Sequence, residues 1–462
     1  MVQHTVPRQS TWRSRAIPVH WSFLLGTISL SCFVVLLVTG VVLLVFYDPS
    51  NATVRYDGSY APMQGVPVST AYASTMHISF EVRGGLLARQ VHHWAALVLP
   101  AALMLQLLCT FFTGGFRRPR HWSWVLLALT FVLALADGWS GYGLPDDKLG
   151  GTGLRIVEGI LIGVPVVGTR ASFLLFGGEF PGNVLEHMYW LHVLVIPVAL
   201  VLALGLRLRL AVRRRPAQYR SRGRTEGNVV GLPLSVVAIR AGGLFLVTAG
   251  VLLLMGGLVA INPIWLYGPA SAESASAGGQ PDWYTSFLDG ALRLAPSGWE
   301  LEALGGTWPL GVLVPQLAVG TFIVVIVMWP FLEAWVVGDR APHHLLDRPR
   351  DHPVRTALGV AGLCFFLVLW IAGATDLVTV RFGIAFENQV VALRALVILG
   401  PIVAFQAARE VCLALGERER EQQRDGRETG QVFRGPEGGY TELHAPAVQE
   451  PAAAAAIAGR DR

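Results

Sequence analysis

The chain alternates between long apolar blocks and shorter polar ones, and block length is the first informative feature. A bilayer core about 30 Å thick needs about 20 apolar residues of helix to cross it. Eight stretches meet that length, near 21–46, 91–113, 122–143, 187–209, 241–261, 308–333, 356–377 and 390–409. Helices are the expected form, because a backbone amide in lipid must find its partner within its own segment. The stretch 150–170 is amphipathic and rich in glycine, and reads as short surface helices rather than a ninth span. The fold class is therefore all-α: a polytopic membrane protein with eight transmembrane helices.

Composition agrees. Of 462 residues, 53% are hydrophobic and only 15% charged, with a mean hydropathy of +0.50. An ordinary soluble domain carries roughly 25% charged residues. These values exclude a soluble enzyme, a disordered chain and a collagen-like one.

The charges that remain have a pattern. Arg117, Arg118 and Arg120 sit in one loop, eight arginines in 207–224, and Arg340, Arg348, Arg350 and Arg355 in a third segment. With eight spans, these loops and both termini fall on one side, which the positive-inside rule makes cytoplasmic. This predicts a multi-pass membrane protein with both termini cytoplasmic. The opposite loops, 47–90, 144–186, 262–307 and 378–389, are longer with a more mixed charge, and are where a site is expected. The arginines of 207–224 read as anchors at anionic headgroups, not as a nucleic-acid surface. Arg8, Arg13 and Arg15 precede the first span, but that span is too long for a cleavable signal. From Glu417 the chain turns polar and then alanine-rich, and is expected to be a solvated, unstructured cytoplasmic tail. The four cysteines (Cys32, Cys109, Cys364 and Cys412) form no CxxC pair; they read as small core residues.

Polar side chains inside a span are costly, so each is a functional candidate. His92 lies in the second span and His192 in the fourth. Two helices that each offer an imidazole to a bundle interior can grip a haem iron from both faces. Arg89, one turn before His92, is placed to pair with a propionate. Gly40 and Gly141 would let a flat macrocycle approach the backbone. His93 and His187 read more simply, as satisfied core or helix-contact residues.

Several motifs now converge. They are Gly85-Leu-Leu-Ala-Arg-Gln-Val-His-His-Trp94, Phe112-Thr-Gly-Gly-Phe-Arg-Arg-Pro-Arg120, Gly141-Tyr-Gly-Leu-Pro-Asp-Asp147, Pro281-Asp-Trp-Tyr284 and His344-Leu-Leu-Asp-Arg-Pro-Arg350. Together they resemble the cytochrome b subunit of quinol–cytochrome c reductase, most closely its actinobacterial, menaquinol-using type, over roughly residues 16–445. The resemblance implies a cytoplasmic segment 1–20, an N-terminal haem-binding four-helix bundle over 21–224, and a C-terminal region with the quinol-site loop over 225–416. The tail 417–462 follows.

In that family the second and fourth spans each carry two histidines fourteen or fifteen residues apart, and about 21 Å of helix separates two haems. His92 and His192 match the outer, low-potential pair. The inner partners do not match: Gln106 stands fourteen residues after His92 and Arg207 fifteen after His192. Cys109 replaces a frequent arginine, and Leu127 replaces a usual glycine, although Gly26 is retained. Arginine has no lone pair to give iron, glutamine is a poor axial ligand, and leucine occupies space a porphyrin needs. One haem b is therefore expected, with the inner, high-potential one lost. Leu24, where some photosynthetic relatives carry a haem-attaching cysteine, implies no covalent haem.

By the same resemblance Asp282 would accept a proton from quinol and Tyr284 would orient the quinol oxygen. Gly141 to Asp147 and Gly163 to Gly168 would complete the pocket wall; no second quinone site can be assigned. The expected function is quinol oxidation at the outer face, with electrons leaving through a b haem and a Rieske iron–sulfur subunit toward a cytochrome c subunit, in a homodimer. The alternatives are a one-haem paralogue with a changed electron route, and a non-catalytic structural or assembly protein that keeps the fold.

Overall fold

The structure, a computed structural model, describes residues 15–271, 282–303 and 305–445. Most of the expected N-terminal segment, Pro281 of the quinol motif and the alanine-rich end of the tail lie outside them. The helices in chain order are α1 (Leu24–Leu44), α2 (Thr70–Phe80), α3 (Gly85–Phe112), α4 (His121–Gly143), α5 (Lys148–Ile162), α6 (Gly168–Phe176), α7 (Val184–Trp190) and α8 (Ile196–Arg213). They continue as α9 (Leu234–Leu258), α10 (Ile264–Tyr267), α11 (Ser286–Leu294), α12 (Leu310–Val337), α13 (Pro353–Gly373), α14 (Thr375–Phe382) and α15 (Phe386–Asp425).

Among the described residues, eight helical segments are long and apolar enough to span a bilayer: α1, α3, α4, α7 with α8, α9, α12, α13 and α15. Each lies where an apolar block predicts it, and several run one or two turns further into polar sequence. α1 packs on α3 and α9, α4 on α8, and α13 on α11 and α15. The expected surface helices of 150–170 are α5 and α6.

The fourth span is not one regular helix. Between α7 and α8 the turn Leu191–Val195 widens, and the Ile196 amide donates to the Leu191 carbonyl five residues back. Pro197 lacks an amide proton and crowds the carbonyl four residues earlier, so a wide turn before it relieves the clash. His192 sits in that turn.

The tail departs from expectation. Residues 417–425, expected to be unstructured, are the last turns of α15. Strands Arg427–Arg434 and Tyr440–Ala445 then pair as an antiparallel hairpin. The reason is local: good helix formers (Glu, Arg, Gln) carry α15 on to Gly426, and Arg348 and Arg350 both pair with Glu419 on it.

The arginine-rich loops share one end of the bundle. Arg120 donates to the His343 carbonyl (2.8 Å), His343 N to the Arg118 carbonyl (2.8 Å), and Asp347 N to the Thr113 carbonyl (2.9 Å). At the centre is Asp347, whose side chain is 2% exposed and lies 2.7 Å from Arg117, 2.6 Å from Arg355 and 3.0 Å from His352. Arg355 also reaches Glu333 at 3.0 Å. Gly114 has a left-handed backbone (φ 61°), and a Cβ there would fall 2.6 Å from Asp347 Oδ2. Two of the family-like motifs thus form one buried charge cluster that ties the α3–α4 loop to the α12–α13 loop.

Burial pushes the Asp347 carboxyl up, but bonds from His352 and Arg355 and the charge of Arg117 outweigh it and hold it below the usual carboxylate range. Its stabilising contribution is therefore fully present above the unfolded value of about 3.9 and is lost as pH falls through the lower folded value. Removing one partner of a buried pair costs about 3–5 kcal/mol. Asp347→Asn is expected to destabilise the detergent-solubilised protein by about that amount. The check is thermal unfolding at neutral pH, where a melting temperature equal to the parent's would contradict the assignment.

Candidate functional site

At the opposite end the bundle opens into a cavity of about 250 Å³ lined by α1, α3, α4, the wide turn, α8 and the Asp282 loop. Its wall holds His92, His192, Arg89, Gly40, Gly141, Asp282 and Tyr284 together. All seven residues singled out for the outer site therefore share one space.

Each imidazole is tied at Nδ1. The Thr39 hydroxyl donates to the Val35 carbonyl (2.7 Å) and so accepts from His92 Nδ1–H (2.9 Å). His192 Nδ1–H donates to the Asp137 carbonyl (2.9 Å). Fixing the proton on Nδ1 leaves Nε2 as the free lone pair of each ring, and among the described residues neither Nε2 has a partner. The ring centroids lie 6.1 Å apart. Two metal–nitrogen bonds of about 2 Å plus about 1 Å inside each ring span about 6 Å, the room one iron needs. The glycines keep that space clear: a Cβ on Gly141 would fall 2.5 Å from His192 Cε1, and one on Gly40 3.4 Å from His92 Cε1.

Arg89 supplies the third element. Its Nη1 donates to the Asn262 carbonyl (3.2 Å), while Nε and Nη2 are buried without partners among the described residues. Gln90 next to it exchanges two bonds with Ile261 (2.8 and 2.7 Å) and fixes that carbonyl's loop. Buried N–H groups are nearly always paired, so the orphans point to an anionic group that completes them. Two imidazole lone pairs, apolar walls and an unpaired guanidinium fit a haem carrying propionates.

Asp282 stands on the same cavity. His93 Nε2–H donates to its carboxylate (3.0 and 3.1 Å), and the Tyr284 hydroxyl donates to Oδ2 (3.0 Å). Burial and the Asp282 charge push the Tyr284 phenol well above its ordinary value, which keeps it a neutral donor. Gly138 makes room, since a Cβ there would lie 2.4 Å from the Tyr284 oxygen.

Sequence reasoning read His93 as a satisfied core or helix-contact residue; the structure gives Asp282 as the group that satisfies it. The signal was available, because consecutive helix residues point about 100° apart and the tandem histidines face two parts of one cavity. Asp137 was also missed, although a lone acid within a span is a functional candidate. His187 is exposed rather than in the core, and acts as a helix-contact residue bonded to the Leu174 carbonyl of α6 (3.2 Å). Gly141, Tyr142, Leu144 and Pro145 line the cavity. Asp146 and Asp147 do not: Asp146 accepts from Ser69 (2.6 Å) and Asp147 caps α5 at Gly150 N (3.2 Å). Burial raises both carboxyls to about 6. Gly163 to Gly168, expected in the wall, instead form the turn between α5 and α6, where Gly168 packs against the Leu161 carbonyl.

The four altered inner positions lie outside this cavity's lining. Leu127 is 1% exposed and belongs to a packed core with Leu103, Phe116 and Trp124. Gln106 lies against Gly26, whose Cβ would be 3.1 Å from its Nε2. Among the described residues Arg207 has no hydrogen bond or ion pair, and Cys109 is a free thiol.

Comparison with known proteins gives four matches. Residues 97–269 match the family described as "Cytochrome b(N-terminal)/b6/petB". The chain is 45% identical over 438 residues to a cytochrome bc1 complex cytochrome b subunit of Streptomyces coelicolor, covering 94% of this chain and 80% of the relative. It is 46% identical over 437 residues to the subunit of the same description in Mycobacterium tuberculosis, covering 94% and 79%. A solved structure titled "Hyperthermophilic respiratory Complex III" shares the fold, with a TM-score of 0.64 at 18% identity over 87% of this chain and 94% of that one.

If the Gly141 gap is the room a macrocycle needs, Gly141→Ala is expected to cut b-type absorbance per inserted chain by more than half. Gly153→Ala, where no atom lies within 4 Å of the added carbon, is expected to leave it unchanged. Visible spectra of the purified variants decide; equal absorbance in both would contradict the geometry.

Proposed function

The chain belongs to the cytochrome b subunits of cytochrome bc1 complexes, and from that membership we propose that it oxidises quinol beside Asp282 and holds a single haem b between His92 and His192. Respiratory electron transfer is the family's role. The observation that carries the finer reading is that both imidazole lone pairs, the unpaired Arg89 groups and Asp282 face one cavity.

A haem bound there supplies a one-electron carrier in the outer half of the membrane. The chain's own residues do the rest. His92 and His192 present Nε2, and the unpaired N–H groups of Arg89 meet a propionate. Asp282 takes the proton from a quinol hydroxyl, held for that by His93 and Tyr284. General-base help of this kind is typically worth about 10²–10⁴-fold. One haem, rather than two, is favoured by Arg207 and Gln106 at the inner ligand positions and by Leu127 packed against Trp124.

Menaquinol is the quinol that the actinobacterial resemblance suggests, with a Rieske iron–sulfur subunit and a cytochrome c subunit as electron-accepting partners in a homodimer. The arginine-rich end is proposed to face the cytoplasm, with Asp282 at the outer side. Electron transfer to an inner quinone is not part of the proposal. A non-catalytic assembly role would leave the orphan groups of Arg89 and the Asp282 bonding without purpose.

A pyridine-haemochrome assay on purified protein is expected to give one haem b per chain, and two would sink the one-haem reading. Asp282→Asn is expected to lower quinol-dependent cytochrome c reduction in membranes by about 10²-fold at unchanged haem content. The parental rate in that variant would remove Asp282 from proton transfer.

A further inference from the structure

Asp137 is an acidic residue in the last third of the apolar helix α4, and none of the roles described so far accounts for its carboxylate. Its main-chain carbonyl takes the His192 proton. Its carboxylate Oδ1 lies 3.2 Å from the same His192 nitrogen. That oxygen is buried and makes no hydrogen bond, so it acts on the ring as a charge rather than as a second acceptor. Among the described residues the opposite imidazole has no such neighbour, and His92 Nδ1 meets the neutral Thr39 hydroxyl. Asp137 also lines the cavity itself.

A buried carboxylate oxygen without a hydrogen bond is expensive, and persists where a positive charge compensates it. An iron porphyrin with two neutral axial imidazoles carries a net positive charge on its core when ferric and none when ferrous. A fixed negative charge behind one ligand therefore stabilises the ferric state over the ferrous one. Groups behind a ligating histidine are a recognised lever on a metal centre. Resting on the reading that His92 and His192 hold a haem, we propose that Asp137 is a positioning and charge-setting residue that lowers the electron affinity of that haem through His192.

The same stretch of α4 connects this lever to the quinol side. Gly138, the next residue, packs under the Tyr284 hydroxyl that donates to Asp282. Residues 137 and 138 thus touch the haem ligand on one side and the Asp282 pair on the other.

The test is a redox titration of the intact complex carrying Asp137→Asn, Asp137→Ser or Thr39→Val, with haem per chain measured in parallel. Both Asp137 variants are expected to keep their haem and shift the ferrous/ferric ratio at fixed potential about tenfold toward ferrous. That shift is a midpoint about 59 mV higher for a one-electron couple. Thr39→Val, which removes only a neutral partner, is expected to shift the ratio less than threefold. Full haem with a ratio within twofold of the parent in both Asp137 variants overturns the proposal. Loss of haem in both also overturns it, because Asp137 would then hold the ligand and not set its potential. The underlying haem reading fails separately if His92→Ala leaves haem content and spectrum as in the parent.

Discussion

The proton on Nδ1 of each cavity histidine is the constraint on which the rest of this structure depends. In a bilayer interior an imidazole has few partners to choose from, and what it binds fixes which nitrogen stays open. Thr39 on α1 and the Asp137 carbonyl on α4 each take one proton, so both rings turn Nε2 toward the same gap. The glycines at 40 and 141, the widened turn before Pro197 and the open end of the bundle all serve that orientation.

The two ends of the molecule solve opposite problems. One end closes: three arginines and His352 approach a single buried aspartate, with Arg220 the outermost at 3.8 Å, and the loops are drawn together around it. The other end stays open and leaves polar atoms unsatisfied at Arg89 and Asp137. Among the described residues, unpaired buried groups also occur at the closed end, on Arg120, His344, Arg350 and Arg355 among others, but those of Arg89 line a cavity where a group carrying propionates would complete them. Stability is concentrated at one pole of the bundle and chemistry at the other.

The spans were legible because an apolar block of about 20 residues matches the thickness of a bilayer and exceeds what a buried core helix needs. His92, His192, Arg89 and Asp282 were legible because polar groups stand out in apolar sequence and in a recognisable order. What could not be read was pairwise. His93 is one residue from His92 in sequence, yet its role depends on a loop nearly two hundred residues away. Asp137 meets His192 only because α4 and the fourth span pack together. The Asp347 cluster joins residues from three loops, and Arg220, one of the arginines of 207–224 that looked like headgroup anchors, lies 3.8 Å from it. The helical extension past Glu417 was hidden because polar composition alone does not distinguish a solvated helix from a loose tail.

The wide turn at Leu191–Val195 alters how positions along the fourth span should be matched. A turn of this kind accommodates one residue beyond the regular helical repeat. Fifteen residues from His192 to Arg207 therefore count, in angular terms, as about fourteen, which brings Arg207 back to within about 40° of the His192 face. A helix carrying such a turn keeps its inward face in phase at both ends despite a length that differs by one. Ligand spacings of fourteen and fifteen thus describe the same geometry, and the helix functions as a ruler whose divisions are not all equal.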